Sequence, residues 1–235
     1  MSSIIQLDPL DKFLSHAESK LSETKRAFPQ EFSRLNAIDS TYLRIQQNLD
    51  NTHDWIPGLL FLRTHASWRA AVRLELSGQL PESYTVLRAT VESALYGIYL
   101  ARNRTSIPTW LHRNDNEQSK QKVREEFTVG ALMQTLRADD QPTHAVADRL
   151  YQQAIDMGAH PNQLAVTSNL RMDTVDTKTL LRLAYLSGDP LAIAACQKAN
   201  AQVGVCCLRI FRNVYKQRFD LLGITQDLST LERGL

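Results

Sequence analysis

The chain has 235 residues, of which 43% are hydrophobic and 22% are charged, as expected for a globular protein and not for a disordered one. A chain of this length buries a core without disulfides or a structural metal. A net charge of +2 excludes a strongly polybasic nucleic-acid binder, but it leaves room for a local basic face. With only nine glycines and eight prolines, an all-β chain rich in turns is also disfavoured.

The cysteines and the hydropathy pattern predict a cytoplasmic location. Three cysteines, Cys196, Cys206 and Cys207, cannot form a disulfide framework, and we expect them to be small core residues in a reducing compartment. The segment from Met1 to Leu14 has two aspartates and lacks the early basic region of a secretory signal. No stretch approaches the ~18 consecutive apolar residues of a membrane span, so we expect no contact with a membrane.

Glycines and prolines divide the chain into segments with the apolar spacing of helices. Gly78, Gly158 and Gly188 are each followed within two or three residues by a proline, which is the usual order of a helix end and the next helix start. Asp8-Pro9 and Asp189-Pro190 each offer a capping side chain and a first-turn proline. The predicted helices span about 9–27, 33–51, 56–77, 81–104, 116–137, 141–158, 161–170 and 190–222, with short turns at 107–112 and 226–233.

The connections between these helices are short, which predicts one antiparallel bundle over residues 1–235. The polar segment Asn103–Lys122 is expected to be a surface excursion of this single domain. The segment 174–187 fits either a short strand or a short helix. We favour a helix, because an isolated strand would have no partner.

The long C-terminal helix, about 190–222, is predicted to be amphipathic. Its apolar stripe comprises Val203, Cys206, Cys207, Ile210, Phe211, Val214 and Leu221. A basic stripe on another face comprises Lys198, Arg209, Arg212 and Lys216. This basic stripe is either a surface for nucleic-acid phosphates or the solvated face of the helix.

Charged residues lie close to the apolar stripe in the central hairpin, 56–104. Arg63 and Arg73 are on the first helix, and Arg88 and Glu92 are four residues apart on the second. Since an unpaired buried charge is costly, Arg88 and Glu92 must be satisfied by each other, by Arg63 or Arg73, or by Glu75. One interpretation is an arginine-lined pocket for an anion. The other is an ion-pair network that fixes the register of the two helices.

A second candidate site lies where one helix ends and the next begins, at His160 and Asn162. A helix start offers free backbone N–H groups to an anion, and a histidine there is suited to proton transfer near neutral pH. Capping of the helix by these side chains is the competing interpretation.

Motifs for cofactors and metals are weak. His144 and Asp148 share a helix face, but a metal site needs three or four converging ligands, so we predict no metal site. The sequence has no GxSxG motif and no glycine-rich phosphate loop, so we predict no cofactor.

Arg137 and His144 are separated by six residues, and this spacing resembles the Arg-x(4–6)-His motif of HEPN domains. A broader resemblance, over Leu87–Glu92 and Gly158–Asn162, is to uncharacterised bacterial helical proteins related to HEPN. The resemblance implies a HEPN-like helical bundle that is often a homodimer and that in many members is a metal-independent ribonuclease. Arg137 would then stabilise phosphate charge and His144 would transfer protons.

Three functions follow as hypotheses. The absence of a strong motif favours a non-catalytic scaffold or interaction protein, expected to be a homodimer. The HEPN-like motif and the basic stripe favour an RNA-binding protein or ribonuclease in a toxin or defence setting. The arginines of the central hairpin, together with His160, favour a sensor of a small anion or nucleotide.

Overall fold

The computed structural model describes residues 9–49, 55–161, 163–167, 170–175 and 178–235. In this part of the chain twelve α-helices form one packed assembly, which confirms the predicted all-α class. The helices are α1 (Leu10–Ala27), α2 (Pro29–Gln46), α3 (Trp55–Leu76), α4 (Leu80–Arg102), α5 (Ile107–Leu111), α6 (Glu117–Glu126), α7 (Val129–Asp139), α8 (Gln141–Ala154), α9 (Gln163–Thr167), α10 (Pro190–Val214), α11 (Lys216–Leu221) and α12 (Ile224–Leu231). A 3₁₀ turn, Arg104–Ser106, precedes α5, and a π-helical turn, Ile155–Ala159, follows α8.

Two predicted helices are shorter than the sequence indicated. The helix expected over 116–137 is divided into α6 and α7, because the Thr128 hydroxyl accepts a hydrogen bond from the Ala131 N–H and so begins a new helix. The helix expected over 190–222 ends at Val214, and Tyr215 separates it from α11. At its start, Asp189 caps α10 through the Leu191 N–H, as predicted.

The prediction of a helix at 174–187 is wrong. Strand β1 (Leu170–Val175) pairs with β2 (Lys178–Leu183) in an antiparallel hairpin, with Leu170 opposite Leu183. A strand at 174–187 was rejected because it would have had no partner, and that followed from predicting a helix over the preceding residues, 161–170. That helix, α9, in fact ends at Thr167, and the residues beyond it supply the first strand.

Helix α10 lies at the centre of the bundle, where it packs against α2, α3, α4 and α8. It is buried on nearly every side between Cys196 and Phe211, so the single apolar stripe predicted for it underestimates its burial. It is the one helix in the described part of the chain that is long and apolar enough to span a membrane, since one 18-residue window within it has a mean hydropathy of 1.2. Because 67% of this window is buried inside the bundle, α10 has the features of a core helix.

Two glycines allow the central helices to approach closely. A Cβ atom on Gly97 of α4 would lie 2.6 Å from the ring of Phe211. A Cβ atom on Gly204 of α10 would lie 2.8 Å from the Trp68 indole nitrogen and 2.9 Å from Ile38. Any larger residue would therefore push α10 away from α4 or α3.

We expect Gly97→Ala to destabilise the fold by about 1–3 kcal/mol, because the added methyl group overpacks the contact with Phe211. Urea-induced unfolding measures this change. Gly130→Ala is the matched control, since nothing lies within 4 Å of a Cβ atom at Gly130 in α7. A helical Gly→Ala change with free space should be neutral or stabilising by about 1 kcal/mol. Equal losses for the two variants would contradict the close-approach explanation.

Candidate functional site

A cavity of about 600 Å³ opens between α8, α10 and the residues that follow α12. This volume is in the usual range of small-molecule pockets. Its lining residues are Asp140, Pro142, Thr143, Val146 and Arg149 at α8, Gln202, Val205, Cys206, Arg209 and Arg212 on α10, and Glu232 and Leu235 beyond α12.

Helical periodicity explains why these residues share one cavity. On α8 the lining positions recur every three or four residues, from Pro142 through Val146 to Arg149. The same spacing on α10 joins Gln202 and Val205 to Arg209. Each helix therefore presents to the cavity a single face that combines apolar and basic side chains.

Both acidic side chains of the pocket are already engaged. Asp140 is the N-cap of α8 and accepts hydrogen bonds from the Thr143 N–H and hydroxyl, at 3.0 and 2.8 Å, and from the Asn213 amide at 3.1 Å. Burial raises the pKa of Asp140, but these hydrogen bonds outweigh burial and hold it below its usual value. Glu232 accepts two hydrogen bonds from the Arg209 guanidinium.

Two of the three pocket arginines retain binding capacity. Arg149 is exposed and makes no ion pair with any described residue. Arg212 is half-buried and donates through Nε to the Thr225 hydroxyl, 3.2 Å away, without an ion pair to a described residue. The three arginines and the two carboxylates together give the side chains that line the pocket a net charge of +1.

The predicted basic stripe on the C-terminal helix is not continuous. Arg209 and Arg212 turn into the pocket, where α12 and the residues after it cover them. Lys198 is exposed elsewhere on α10, and Lys216 is exposed at the start of α11. The sequence therefore identified the two arginines of α10, but not Arg149, because that residue belongs to a different helix.

Arg88 and Glu92 pair with each other, one of the options expected for them, but the pair lies within α4 and connects to α8, not to the first helix of the hairpin. Arg88 Nε lies 3.0 Å from Glu92 Oε1 and 3.1 Å from the Tyr151 hydroxyl oxygen, and that hydroxyl donates to Glu92 Oε1 at 2.8 Å. The guanidinium carbon also lies 5.4 Å from the Tyr151 ring centre. The three groups join α4 to α8 at the edge of the bundle, where the side chains of Arg88 and Glu92 remain about one-third exposed, at 33% and 32%.

The structure does not gather the arginines of the central hairpin into one site. Arg73 is exposed and pairs with Glu18 of α1, with 3.0 Å between nitrogen and oxygen. Arg63 is exposed on α3. Arg88, in contrast, is engaged with α8. These side chains therefore serve different contacts and do not line a common pocket.

The segment around His160 packs on the start of α4. A Cβ atom on Gly158 would lie 2.1 Å from the Pro81 carbonyl oxygen, and the Thr85 hydroxyl donates to the Gly158 carbonyl at 3.0 Å. His160 itself is exposed, with an extended backbone. Asn162 lies outside the described residues. Because the helix that follows, α9, has only five residues, it does not provide the strong helix start that the sequence suggested.

Arg137 and His144 lie at the corner between α7 and α8. Arg137 is exposed in the last turn of α7, and His144 is half-buried in the first turn of α8. The Asp140 cap that connects these turns is also part of the pocket wall. Among the described residues no group of three or more His, Cys, Asp or Glu side chains is placed to hold a metal ion.

A buried polar cluster at the junction of α3, α4 and α10 was not predicted as a unit. The side chains of Glu75, Gln197 and Asn200 are at most 1% exposed. The Asn200 amide nitrogen donates to the Ser83 hydroxyl at 3.1 Å, and the Trp68 indole donates to the Asn200 carbonyl at 2.9 Å. Neither carboxyl oxygen of Glu75 has a hydrogen-bond partner among the described residues.

Burial raises the pKa of Glu75 to about 9, and the neighbouring Gln197 amide offsets only part of this rise. Glu75 is therefore protonated and neutral at pH 7 in the folded protein. Spacing alone could have suggested the cluster, since Gln197 and Asn200 share a face of the most apolar helix. Which acid would meet them depended on the packing of α3.

A second contact that the sequence analysis did not predict joins α2 to α3. Asp39 accepts hydrogen bonds from Arg69 Nε at 2.6 Å and Arg69 Nη2 at 2.8 Å, and one of its oxygens lies 2.7 Å from His65 Nε2. Burial lowers the pKa of His65, more than the bond to Asp39 raises it. The His65 ring stacks on Tyr42 with 4.6 Å between ring centres, so this group contributes to helix packing.

The raised pKa of Glu75 predicts a pH-dependent stability. Above about pH 4.5 the unfolded chain releases this proton, while the folded chain keeps it up to about pH 9. The free energy of unfolding should therefore fall by about 1.4 kcal/mol per pH unit in this window from Glu75 alone, and level off above it. Glu75→Gln removes this dependence, so its stability relative to wild type should improve as pH rises.

Urea unfolding at pH 5, 6, 7 and 8 measures the difference between the two proteins. Glu82→Gln, at an exposed position of α4, is the control and should keep the wild-type slope. Stability curves of wild type and Glu75→Gln that run parallel would contradict the assignment of a buried, protonated Glu75.

The pocket, the Arg88–Glu92–Tyr151 group and the corner at Arg137 and His144 must be interpreted from this chain's own residues. No family model matches the chain, and neither a curated protein nor a solved structure matches it. The resemblance to HEPN domains therefore stays a prediction.

Proposed function

We propose that this chain is a non-catalytic helical protein that binds a small anionic molecule in the pocket between α8 and α10. The observation that carries this proposal is that Arg149 and Arg212, which make no ion pair with a described residue, both line a cavity of about 600 Å³. The small-anion hypothesis is retained, but its binding residues move from the central hairpin to this pocket.

The walls of the pocket define the chemistry of the ligand. A guanidinium group binds carboxylate or phosphate through a planar fork of N–H donors. Val146, Val205 and Leu235 add apolar surface to the lining of the same pocket. The ligand that fits is a molecule with one carboxylate or phosphate group and an apolar body.

The state of the lining groups supports binding in preference to catalysis. Burial raises the pKa of the Cys206 thiol to about 12, which keeps it from acting as a nucleophile near neutral pH. Asp140 is engaged as a helix cap and Glu232 with Arg209, so neither carboxylate of the pocket is placed to act as a general base. The scaffold interpretation shares this lack of chemistry, but it does not account for the unpaired arginines.

A cytoplasmic location is part of the proposal. Cys196, Cys206 and Cys207 are free and buried, as suits a reducing compartment. Helix α10, which is long and apolar enough to span a membrane, has 67% of its apolar window buried inside the bundle, as in the core helix of a soluble protein.

Phenyl phosphate is a suitable probe, because it combines a phosphate with an apolar ring. We expect calorimetric titration to show binding to wild type and a loss of about tenfold or more in affinity for the double variant Arg149→Ala/Arg212→Ala, because charge-assisted hydrogen bonds are removed. Arg63→Ala is the control, since this exposed arginine lies outside the pocket. Equal affinities of wild type and the double variant would refute the proposal.

A second candidate function, RNA binding or metal-independent cleavage of the HEPN type, is favoured by the corner between α7 and α8. Arg137 and His144 both reach solvent there, next to the pocket wall formed by Asp140 and Thr143. An arginine and a histidine at one accessible corner suit phosphate stabilisation and proton transfer. The resemblance to HEPN domains also implies a homodimer, and this homodimer stays a prediction.

If this second function holds, wild-type protein should cleave single-stranded RNA without added metal, and Arg137→Ala and His144→Ala should each abolish cleavage. Gel electrophoresis of the RNA measures the products. Arg124→Ala, at an exposed position of α6, should cleave like wild type. RNA that stays intact with wild-type protein would rule out the nuclease.

A further inference from the structure

The Arg209–Glu232 pair places an anion of the chain itself inside the proposed binding pocket. Both side chains line the cavity, and the Glu232 carboxylate accepts hydrogen bonds from Nε and Nη2 of Arg209. This two-point arrangement is the one by which an arginine holds the carboxylate or phosphate of a ligand. The side chains remain partly accessible, with 31% of Arg209 and 36% of Glu232 exposed.

The segment that carries Glu232 has few other anchors. Helix α12 has eight residues and buries two of them, Ile224 and Leu228, while Leu231 and Leu235 on either side of Glu232 are partly buried against the core. Asp227 forms an ion pair with Arg44 of α2 on its exposed side. Beyond Glu232, a 3.3 Å hydrogen bond joins an Arg34 side-chain nitrogen to the Arg233 carbonyl. Because α8 buries five residues and α10 buries fourteen, the segment around α12 is the wall of the pocket that we expect to open at the lowest free-energy cost.

The position of Glu232 on Arg209 favours an exchange of anions over simple addition. Arg149 and Arg212 are available to a ligand, but the Nε–Nη2 edge of Arg209, which lines the same cavity, is occupied by Glu232. A ligand anion that binds Arg209 through this two-point edge must take the position of the Glu232 carboxylate. Arg209 keeps a negatively charged partner throughout, so the exchange leaves no uncompensated charge.

We infer that Glu232 is an internal competitor of the ligand, and that binding of a carboxylate or phosphate displaces it from Arg209 and releases the residues that follow α12. This inference rests on the proposed anion-binding function. It makes the pocket a switch, in which occupancy is transmitted to the C-terminal side of α12. The chain segment after Leu231 then differs in exposure between the free and the bound protein.

Titration of wild type, Glu232→Gln and Asp227→Asn with phenyl phosphate tests the inference. Glu232→Gln removes the competing charge and should tighten binding by about fivefold. Asp227→Asn is the matched control, because it removes the other ion pair of α12 at a position outside the pocket lining. It should bind as wild type does. Unchanged affinity of Glu232→Gln, or an equal gain in both variants, would overturn the competition.

Hydrogen exchange of wild type supplies the second measurement. Adding phenyl phosphate should speed exchange in the segment 232–235, whose backbone hydrogen bonds include Leu235 N–H to the Glu232 carbonyl, while it slows exchange in α8. Slower exchange in both regions would overturn the displacement of Glu232. Binding that depends on Arg149 and Arg212 without any effect of Glu232→Gln refutes only this inference. No binding by wild type and Glu232→Gln alike refutes the proposed function as well.

Discussion

The architecture depends on the burial of α10 against four neighbouring helices at once, α2, α3, α4 and α8. A helix packed on all these sides can keep its position only if its backbone approaches its neighbours closely and its polar groups find partners. Gly204 meets the first requirement against Trp68 of α3. The second is met in part, by the indole of Trp68, which donates to the Asn200 carbonyl, and by the Tyr42 hydroxyl, which donates to the Gly204 carbonyl at 2.9 Å, whereas the Gln197 side chain has no hydrogen-bond partner among the described residues. Specific hydrogen bonds of this kind fix the rotation and depth of α10, which apolar contacts alone would specify less sharply.

The pocket arises where this enclosure of α10 becomes incomplete. Toward its C-terminal end, α10 is covered on one side by α8 and on another by the short α12, and the gap between them is the cavity. Arg209 and Arg212 belong to a helix that is otherwise among the most buried in the chain. Their positions are therefore set by the rigid core, whereas the opposite wall, from Glu232 to Leu235, belongs to a short peripheral element. A rigid set of cations facing a weakly held wall is an arrangement suited to ligand-dependent change.

Local sequence signals predicted the helices well, and contacts between distant segments were predicted poorly. Gly78, with a φ of 84°, and Asp189 mark helix boundaries by their own conformational and capping preferences, so they can be identified without the fold. The Arg88–Glu92 pair followed from its spacing of four residues, but its third member, Tyr151, is 59 residues from Glu92 and could not be assigned. The pocket was missed for the same reason, because Arg149 and Arg209 come together only through the packing of α8 on α10. The hairpin of β1 and β2 was missed because each strand was judged without the other.

The burial of the three thiols has a practical meaning for experiments on this protein. Cys196 and Cys207 lie inside the core, and burial raises the pKa of both, so an alkylating reagent can reach them only when the bundle opens as a whole. Cys206, although only 3% exposed, belongs to the wall of the cavity. Its modification therefore requires only a local opening at the C-terminal side of α10. The chain thus contains natural chemical reporters of two different events, cooperative unfolding and local access to the pocket, and neither needs an introduced label.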